Sequence, residues 1–174
     1  MFSDPKKNIE QMQLEHGMKI ADLGSGSGFY SLEAARVVGD GGKVYAIDVQ
    51  KDLLAKLKNA ANASHLPNVE VIPGDLEKVG GARLADGSVD VAIAANILFQ
   101  IAEKEAFLRE AKRIIKTGGK LAVVDWSDSF GGIGPMADHV IKEDEARELA
   151  VKEGFTFERD FKAGAHHYGL IFKK

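Results

Sequence analysis

The chain of 174 residues contains no cysteine. Without thiols it has no disulfide framework, no thiolate metal site and no cysteine nucleophile. A cysteine-held iron–sulfur cluster, and the radical chemistry that depends on one, is excluded for the same reason.

Long apolar runs and an excess of positive charge are also missing. No run of 18 or more apolar residues occurs, so we predict no membrane span. Residues 1–8 lack the apolar core of a signal peptide, and we therefore expect a cytoplasmic protein. The net charge of −3 argues against a strong grip on a nucleic-acid backbone.

The composition, with 45% apolar and 28% charged residues, is typical of one globular domain, and we predict a single domain over residues 1–174. Apolar strands alternate with amphipathic helices, which indicates an α/β fold with a doubly wound, Rossmann-like parallel sheet. The predicted strands are 19–24, 43–48, 69–73, 89–94 and 120–126. The predicted helices are 28–38, 51–64, 102–116 and 143–153, with a short irregular helix at 76–84.

Both ends of the chain depart from this alternation. Residues 1–17 contain a predicted helix at about 4–16, which we expect to cap the cofactor side of the domain. Residues 155–174 alternate apolar and polar side chains in two runs, with a turn predicted at Lys162-Ala163-Gly164. This C-terminal β-hairpin would add an antiparallel pair at one edge of the sheet.

A glycine-rich loop follows the first strand, in the segment Asp22-Leu23-Gly24-Ser25-Gly26-Ser27-Gly28. Such glycines allow a tight turn and a close approach of a ligand to the backbone. The second strand ends at Asp48, where a carboxylate can accept hydrogen bonds from ribose hydroxyls. Together these features predict a site for an adenosine-bearing cofactor.

Three features discriminate among such cofactors. The third glycine of a dinucleotide loop would fall at position 29, which is Phe29. The negative carboxylate of Asp22 would repel a pyrophosphate, whereas it is compatible with a cationic ligand. Gly74-Asp75 follows the third strand, where an acid can receive an adenine amino group. The absence of a Gly-Lys-Ser/Thr sequence excludes a P-loop.

Five ordered motifs resemble class I S-adenosylmethionine-dependent methyltransferases of the small ubiquinone/menaquinone-biosynthesis-like, methyltransferase-11-type branch. They are 22–28, 46–48, 74–75, 90–96 and 114–120, and the last has Thr117 where the family usually has proline. The resemblance runs nearly from end to end. It implies a seven-stranded sheet of order 3-2-1-4-5-7-6 with strand 7 antiparallel, S-adenosyl-L-methionine as cofactor and S-adenosyl-L-homocysteine as product.

The resemblance also implies roles at matching positions. Gly24 and Gly26 would line the methionyl part, and Asp22 would order the loop. Asp48 would hold the ribose, and Asp75 the adenine amino group. The full set of expected cofactor-binding residues is Asp22, Gly24, Ser25, Gly26, Asp48, Val49, Gly74, Asp75, Leu76 and Asn96.

No residue stands out as a catalyst. Methyl transfer depends on positioning, and an oxygen, nitrogen or carbon nucleophile can also need a base. Candidates near the expected face are Asp125, Asp128, His139, His166 and His167. Adjacent histidines on a strand point to opposite faces, so His166 and His167 do not share a metal, and we predict none. Candidates for an apolar substrate wall are Tyr30, Phe99, Trp126 and Phe130.

The sequence leaves the acceptor open, with a small, partly apolar molecule favoured by the resemblance. A related arsenic-methylating branch needs cysteine, which this chain lacks. Two alternatives remain: a non-catalytic cofactor-binding partner subunit, and an NAD-dependent oxidoreductase. The oligomeric state is not fixed by the sequence, and a homodimer is among the states left open.

Overall fold

A computed structural model describes residues 3–174 and shows one seven-stranded sheet with helices on both faces. Met1 and Phe2, which belong to the predicted domain and N-terminal segment, lie outside the described residues. The strands are β1 (Lys19–Leu23), β2 (Lys43–Asp48), β3 (Val69–Pro73), β4 (Val89–Ala95), β5 (Ile115–Trp126), β6 (Thr156–Gly164) and β7 (His167–Lys173). The helices are α1 (Pro5–Gln11), α2 (Phe29–Val38), α3 (Lys51–Ala63), α4 (Lys104–Ile114) and α5 (Glu143–Lys152), with a 3₁₀ turn at Leu98–Gln100.

The strand order β3-β2-β1-β4-β5-β7-β6 confirms the predicted topology. The first five strands pair in parallel, and β7 lies antiparallel to both β5 and β6. Parallel strands connected through helices end at the same edge, so the carboxyl ends of β1 to β5 converge there. This edge is where a ligand site is expected.

Helices cover the sheet on two sides, which explains the continuous apolar character of the central strands. On one side α1, α2 and α3 pack through residues such as Ile9, Ala34 and Leu57. On the other side α4 and α5 pack through residues such as Phe107 and Ala146. The strands β1 and β4 are buried between these layers.

Several local predictions were wrong. The N-terminal helix ends at Gln11, and Gln13 has a left-handed φ of 55° that does not continue a helix. Residues 76–84 form turns instead of a helix. The strand β5 begins earlier than predicted, because Ile115 pairs with Val89 before a bulge. Lys162, Ala163 and Gly164 belong to β6, so the hairpin turn lies at residues 165–166.

Candidate functional site

The glycine loop between β1 and α2 is fastened to the end of β2. The amides of Gly24 and Ser25 both donate to the carbonyl of Ile47, at 2.8 and 3.0 Å. Gly28 begins α2 with a φ of 87°, and a Cβ there would run into the side chain of Leu57. Glycine alone adopts this positive φ without strain and leaves room for Leu57. This requirement fixes the path of the loop.

Asp48 is the buried carboxylate that ends β2, and it organises the same loop. One of its oxygens accepts from the amide of Gly26 at 2.8 Å, and the other accepts from the amide of Gln50 at 2.8 Å. A carboxylate offers about four acceptor positions, so about half of its capacity remains for ligand hydroxyls.

A first cavity of about 290 Å³ lies beside this carboxylate. We call it the carboxylate cavity, since its rim carries Asp48, Asp75 and Glu77. Its remaining lining consists of Gly24, Gly26, Val49, Gln50, Leu53, Gly74, Leu76, Ile97, Gln100 and Ile101. Val49 is 64% exposed and Leu76 is buried, so the cavity combines carboxylate acceptors with apolar surface.

Asp75 lies half-buried at the rim and is engaged locally. Its carboxylate pairs with Lys78 Nζ at 2.7 Å and accepts from the amide of Glu77 at 3.2 Å. The contact with Lys78 is the main cause that lowers the pKa of Asp75. The group therefore stays ionised and available as an acceptor at neutral pH.

A second cavity of about 490 Å³ shares Gly24, Gly26 and Gln100 with the first. We call it the hydroxyl cavity, since Ser3, Ser25, Ser27 and Tyr30 line it, together with Pro5, Phe29, Ala95 and Asn96. Ser25 Oγ and Asn96 Oδ1 are buried and have no hydrogen-bond partner within residues 3–174. Buried polar atoms of this kind are normally satisfied, so both atoms are available to a polar ligand in the cavity.

Asp22 lies under the glycine loop and outside the lining of both cavities. It is buried, and Ser31 in α2 donates its hydroxyl to the carboxylate at 2.5 Å. Desolvation by burial raises the pKa of Asp22 to about 6. This contact ties the end of β1 to the first turn of α2.

Among the predicted catalytic candidates, Asp125 is buried at the end of β5. Its oxygens accept from the amides of Leu98 at 2.9 Å and Trp126 at 2.8 Å, so it holds the 3₁₀ turn after β4. Burial raises the pKa of Asp125 to about 6. Asp125 therefore helps to position Gln100, the last residue of this turn. Gln100 lies where the two cavities meet.

Asp128 and His166 form an ion-pair geometry on the surface, with Nδ1 at 2.8 Å from the nearer carboxylate oxygen. The ring of His166 stacks on Phe130 with centroids 4.2 Å apart. His139 is exposed in the 127–141 loop. None of these side chains lines either cavity in the described part of the chain.

His167 is buried against Trp126, with ring centroids 4.2 Å apart. Its ring nitrogens have no hydrogen-bond partner in the described residues. Desolvation lowers the pKa of His167, so the imidazole is neutral at pH 7.

Of the proposed apolar wall, the structure brings only Tyr30 to the hydroxyl cavity, within the described residues, and adds Phe29 beside it. Phe99 packs against the α4 and α5 side of the core. Gln100 and Ser3 were missed. A polar residue in the turn after β4 was the available signal for Gln100, whereas the contribution of Ser3 depends on how α1 docks.

Residues 3–174 contain no group of three or more His, Asp or Glu side chains placed to hold a metal ion. Across the same residues, the helices are all too short or too polar to cross a membrane.

The strand order, the glycine loop and Asp48 define a Rossmann-like, cofactor-binding methyltransferase fold. Residues 14–162 match the model of the "Methyltransferase domain" family, and the chain belongs to that family, as a class I S-adenosylmethionine-dependent member. The cofactor that this membership implies is S-adenosylmethionine.

A solved S-adenosylmethionine-dependent methyltransferase from Aquifex aeolicus superposes with a TM-score of 0.90 and 32% identity, over 99% of this chain and 90% of that one. An arsenite methyltransferase from Aquipseudomonas alcaligenes is 32% identical over 88% of this chain and 44% of its own length. The ubiquinone/menaquinone biosynthesis C-methyltransferase UbiE from Shewanella frigidimarina is 30% identical over 70% and 48%. The chain thus spans less than half the length of these two curated relatives.

The residues present fit this cofactor. Asp48 retains acceptor capacity suited to two ribose hydroxyls, and Val49 and Leu76 offer apolar surface to a ring. Ser25 Oγ and Asn96 Oδ1, which have no partner in the described residues, lie in the hydroxyl cavity. There they can bind the amino-acid end of the cofactor. A Cβ at Gly26 would meet open space, so this part of the loop faces room for a ligand.

Proposed function

We propose that this protein transfers a methyl group from S-adenosylmethionine to a small acceptor held in the hydroxyl cavity. The observation that carries this proposal is the junction of two cavities at Gly24, Gly26 and Gln100. One cavity offers carboxylates for the adenosine of the cofactor, and the other offers hydroxyl and amide groups for the cofactor's amino-acid end and for a second molecule.

In the proposed assignment Asp48 binds the ribose and Asp75 accepts from the adenine amino group. Gly74 lets the chain pass close to Gly81, and Leu76 and Val49 contact the ring. Ser25 and Asn96 bind the amino-acid end, while Asp22 orders the loop through Ser31. The bound cofactor supplies a methyl group already activated by its sulfonium.

The chain's own contribution is therefore positioning. The lining of the hydroxyl cavity in the described residues carries no ionisable acid or base apart from the phenol of Tyr30. Holding two reactants in line and away from water lowers the barrier without a proton carrier. The bond from the methyl group to sulfur breaks as its bond to the acceptor forms, and the proton that the acceptor loses passes to solvent. This arrangement favours an acceptor that needs no dedicated base to release its proton.

Formation of S-adenosylhomocysteine and transfer of labelled methyl test the proposal. We expect transfer to a hydroquinone such as 1,4-dihydroxynaphthalene, the type of acceptor that the UbiE relative's name suggests. Arsenite, the acceptor in the other relative's name, should receive none, because the chain has no cysteine.

Two outcomes would contradict the proposal. Cofactor binding without transfer to any acceptor would support a non-catalytic partner subunit. Tight binding of NADH in place of S-adenosylhomocysteine would support an oxidoreductase.

A further inference from the structure

Three polar side chains connect the N-terminal segment to the hydroxyl cavity: Ser3 ahead of α1, Asn8 in α1 and Tyr30 in α2. Asn8 Nδ2 donates to Ser3 Oγ at 2.9 Å and to Tyr30 Oη at 2.9 Å. The two hydroxyl oxygens lie 3.3 Å apart, and both residues line the cavity. Asn8 is 2% exposed and Tyr30 is 7% exposed, so the group is fixed by packing.

The hydrogen bonds within this group leave one hydroxyl proton unused. The amide nitrogen of Asn8 has two protons, and each is used on one hydroxyl oxygen. Ser3 and Tyr30 carry one hydroxyl proton each, and only one of the two can occupy the hydrogen bond between them. One hydroxyl proton is therefore left to donate to a molecule in the cavity.

The charges around the cavity point to the kind of molecule. Asp, Glu, Lys, Arg and His are all absent from its lining in the described part of the chain. The cofactor's amino-acid end, placed at Ser25 and Asn96, is a zwitterion without net charge. A charged group against Ser3, Pro5, Phe29 and Tyr30 would therefore lose water without gaining an oppositely charged side chain. Phe29 is 68% exposed and offers a flat apolar surface at the same place.

We propose that the surface formed by Ser3, Pro5, Phe29 and Tyr30 selects an uncharged methyl acceptor. The hydroxyl pair donates one hydrogen bond to an oxygen of that acceptor, and Phe29 packs against its apolar part. This inference rests on the proposed function, which places the acceptor in the hydroxyl cavity, and it adds the chemical class and the residues that select it.

Three probes with the same phenol ring test the charge preference. They are 4-hydroxybenzamide, 4-hydroxybenzoate and 4-hydroxybenzylamine, which are neutral, anionic and cationic at pH 7. Each is titrated into the full chain saturated with S-adenosylhomocysteine, and binding is followed by saturation-transfer NMR. We expect the amide to bind at least about tenfold more tightly than either ion. Equal or tighter binding of an ion, or no binding of the amide, would overturn the proposal.

Two single variants and their combination test the hydroxyl pair. Ser3→Ala and Tyr30→Phe each remove one hydroxyl of the pair. The hydroxyl that remains can then donate its proton to the ligand. Each should change the affinity for 4-hydroxybenzamide by less than about twofold, whereas the double variant should weaken it by about fivefold or more. A double variant that binds the amide as well as the wild type would refute the role of the pair.

The controls separate this proposal from the function on which it rests. Tyr45→Phe removes a phenol hydroxyl outside both cavities and should leave all three affinities unchanged. Every variant should bind S-adenosylhomocysteine within about twofold of the wild type, which also reports folding. Failure of the wild type to bind S-adenosylhomocysteine contradicts both proposals. Probe binding that ignores charge, in a protein that binds S-adenosylhomocysteine, contradicts only this one.

Discussion

The two cavities share a glycine loop but are built in different ways. The carboxylate cavity is formed by strand ends and the turns directly after them, with Asp48 fixed by two backbone amides. The hydroxyl cavity is completed by the N-terminal segment, through Ser3 ahead of α1 and its contacts with Asn8 and Tyr30. In the proposed assignment the carboxylates bind the adenosine, Ser25 and Asn96 bind the cofactor's amino-acid end, and the hydroxyls of Ser3 and Tyr30 are left for the second molecule. The difference teaches how one edge of a sheet can combine a charged site for the methyl donor with a neutral surface for the acceptor.

Removing Glu110 should have the largest effect, on the stability of the fold, through the turn that packs beside the carboxylate cavity. This buried side chain of α4 accepts from the amides of Gly80 and Ala82 at 2.9 Å and pairs with Arg113 at 2.8 Å. We expect Glu110→Gln to lower the free energy of unfolding by about 3 kcal/mol, because one neutral carbonyl replaces the two carboxylate oxygens that the buried amides and Arg113 share, while Arg113 keeps Asp86. Urea denaturation measures this loss.

Glu105→Gln is the matched control on the same helix, since Glu105 pairs with Lys152 at the surface. It should cost less than about 1 kcal/mol. Equal losses in the two variants would show that Glu110 does not stabilise the 80–82 turn, whose Gly81 lies close to the cavity residues Gly74 and Asp75.

Removing Asp48 should have the next largest effect, on cofactor affinity. Asp48→Ala removes the acceptors for the ribose and for the amide of Gly26, so S-adenosylhomocysteine should bind more weakly by about 2–3 kcal/mol. Calorimetric titration gives the dissociation constant. Asp52→Ala, in the exposed first turn of α3, should leave it unchanged. An unaltered affinity in Asp48→Ala would remove the basis for the ribose assignment.

The buried acids under the two cavities make stability depend on pH. Burial raises the pKa of Asp22 to about 6, so the folded state binds more protons than the unfolded state between about pH 4 and 6. The stability contributed by Asp22 is therefore present at low pH and is lost as the pH rises through this window. Asp22→Asn should cost about 2 kcal/mol more at pH 4 than at pH 7.

Comparing the unfolding free energies of wild type and Asp22→Asn across this range isolates the effect of Asp22. Asp125→Asn should show the same sign, since burial raises the pKa of Asp125 to about 6 as well. A mutational cost that rises with pH would contradict the assigned direction of these shifts.

The smallest effect is expected at the exposed Asp128–His166 pair, beyond the hydroxyl cavity. Asp128→Asn should change the unfolding free energy by less than about 0.5 kcal/mol, since exposed ion pairs contribute little. The affinity for S-adenosylhomocysteine should also remain unchanged. A large fall in methyl transfer with normal cofactor affinity would instead assign this pair to the acceptor side.

Sequence patterns predicted the sheet and the residues around the carboxylate cavity because their determinants are local. A strand that ends in Asp48, a glycine turn and Gly74-Asp75 are each readable within a few residues. Residues 76–84 failed as a helix because Glu110, distant in sequence, satisfies the amides of the turn. The contacts of Ser3 and Asn8 with Tyr30 depend on tertiary packing, which has no local signal.

Calorimetric titration of the full chain with S-adenosylhomocysteine tests the central claim most directly, that the glycine loop and Asp48 form the methyl-donor site. We predict saturable binding of one molecule per chain, weakened by Asp48→Ala and unaffected by Asp52→Ala. A folded wild-type chain that shows no binding of S-adenosylhomocysteine or S-adenosylmethionine would contradict the account.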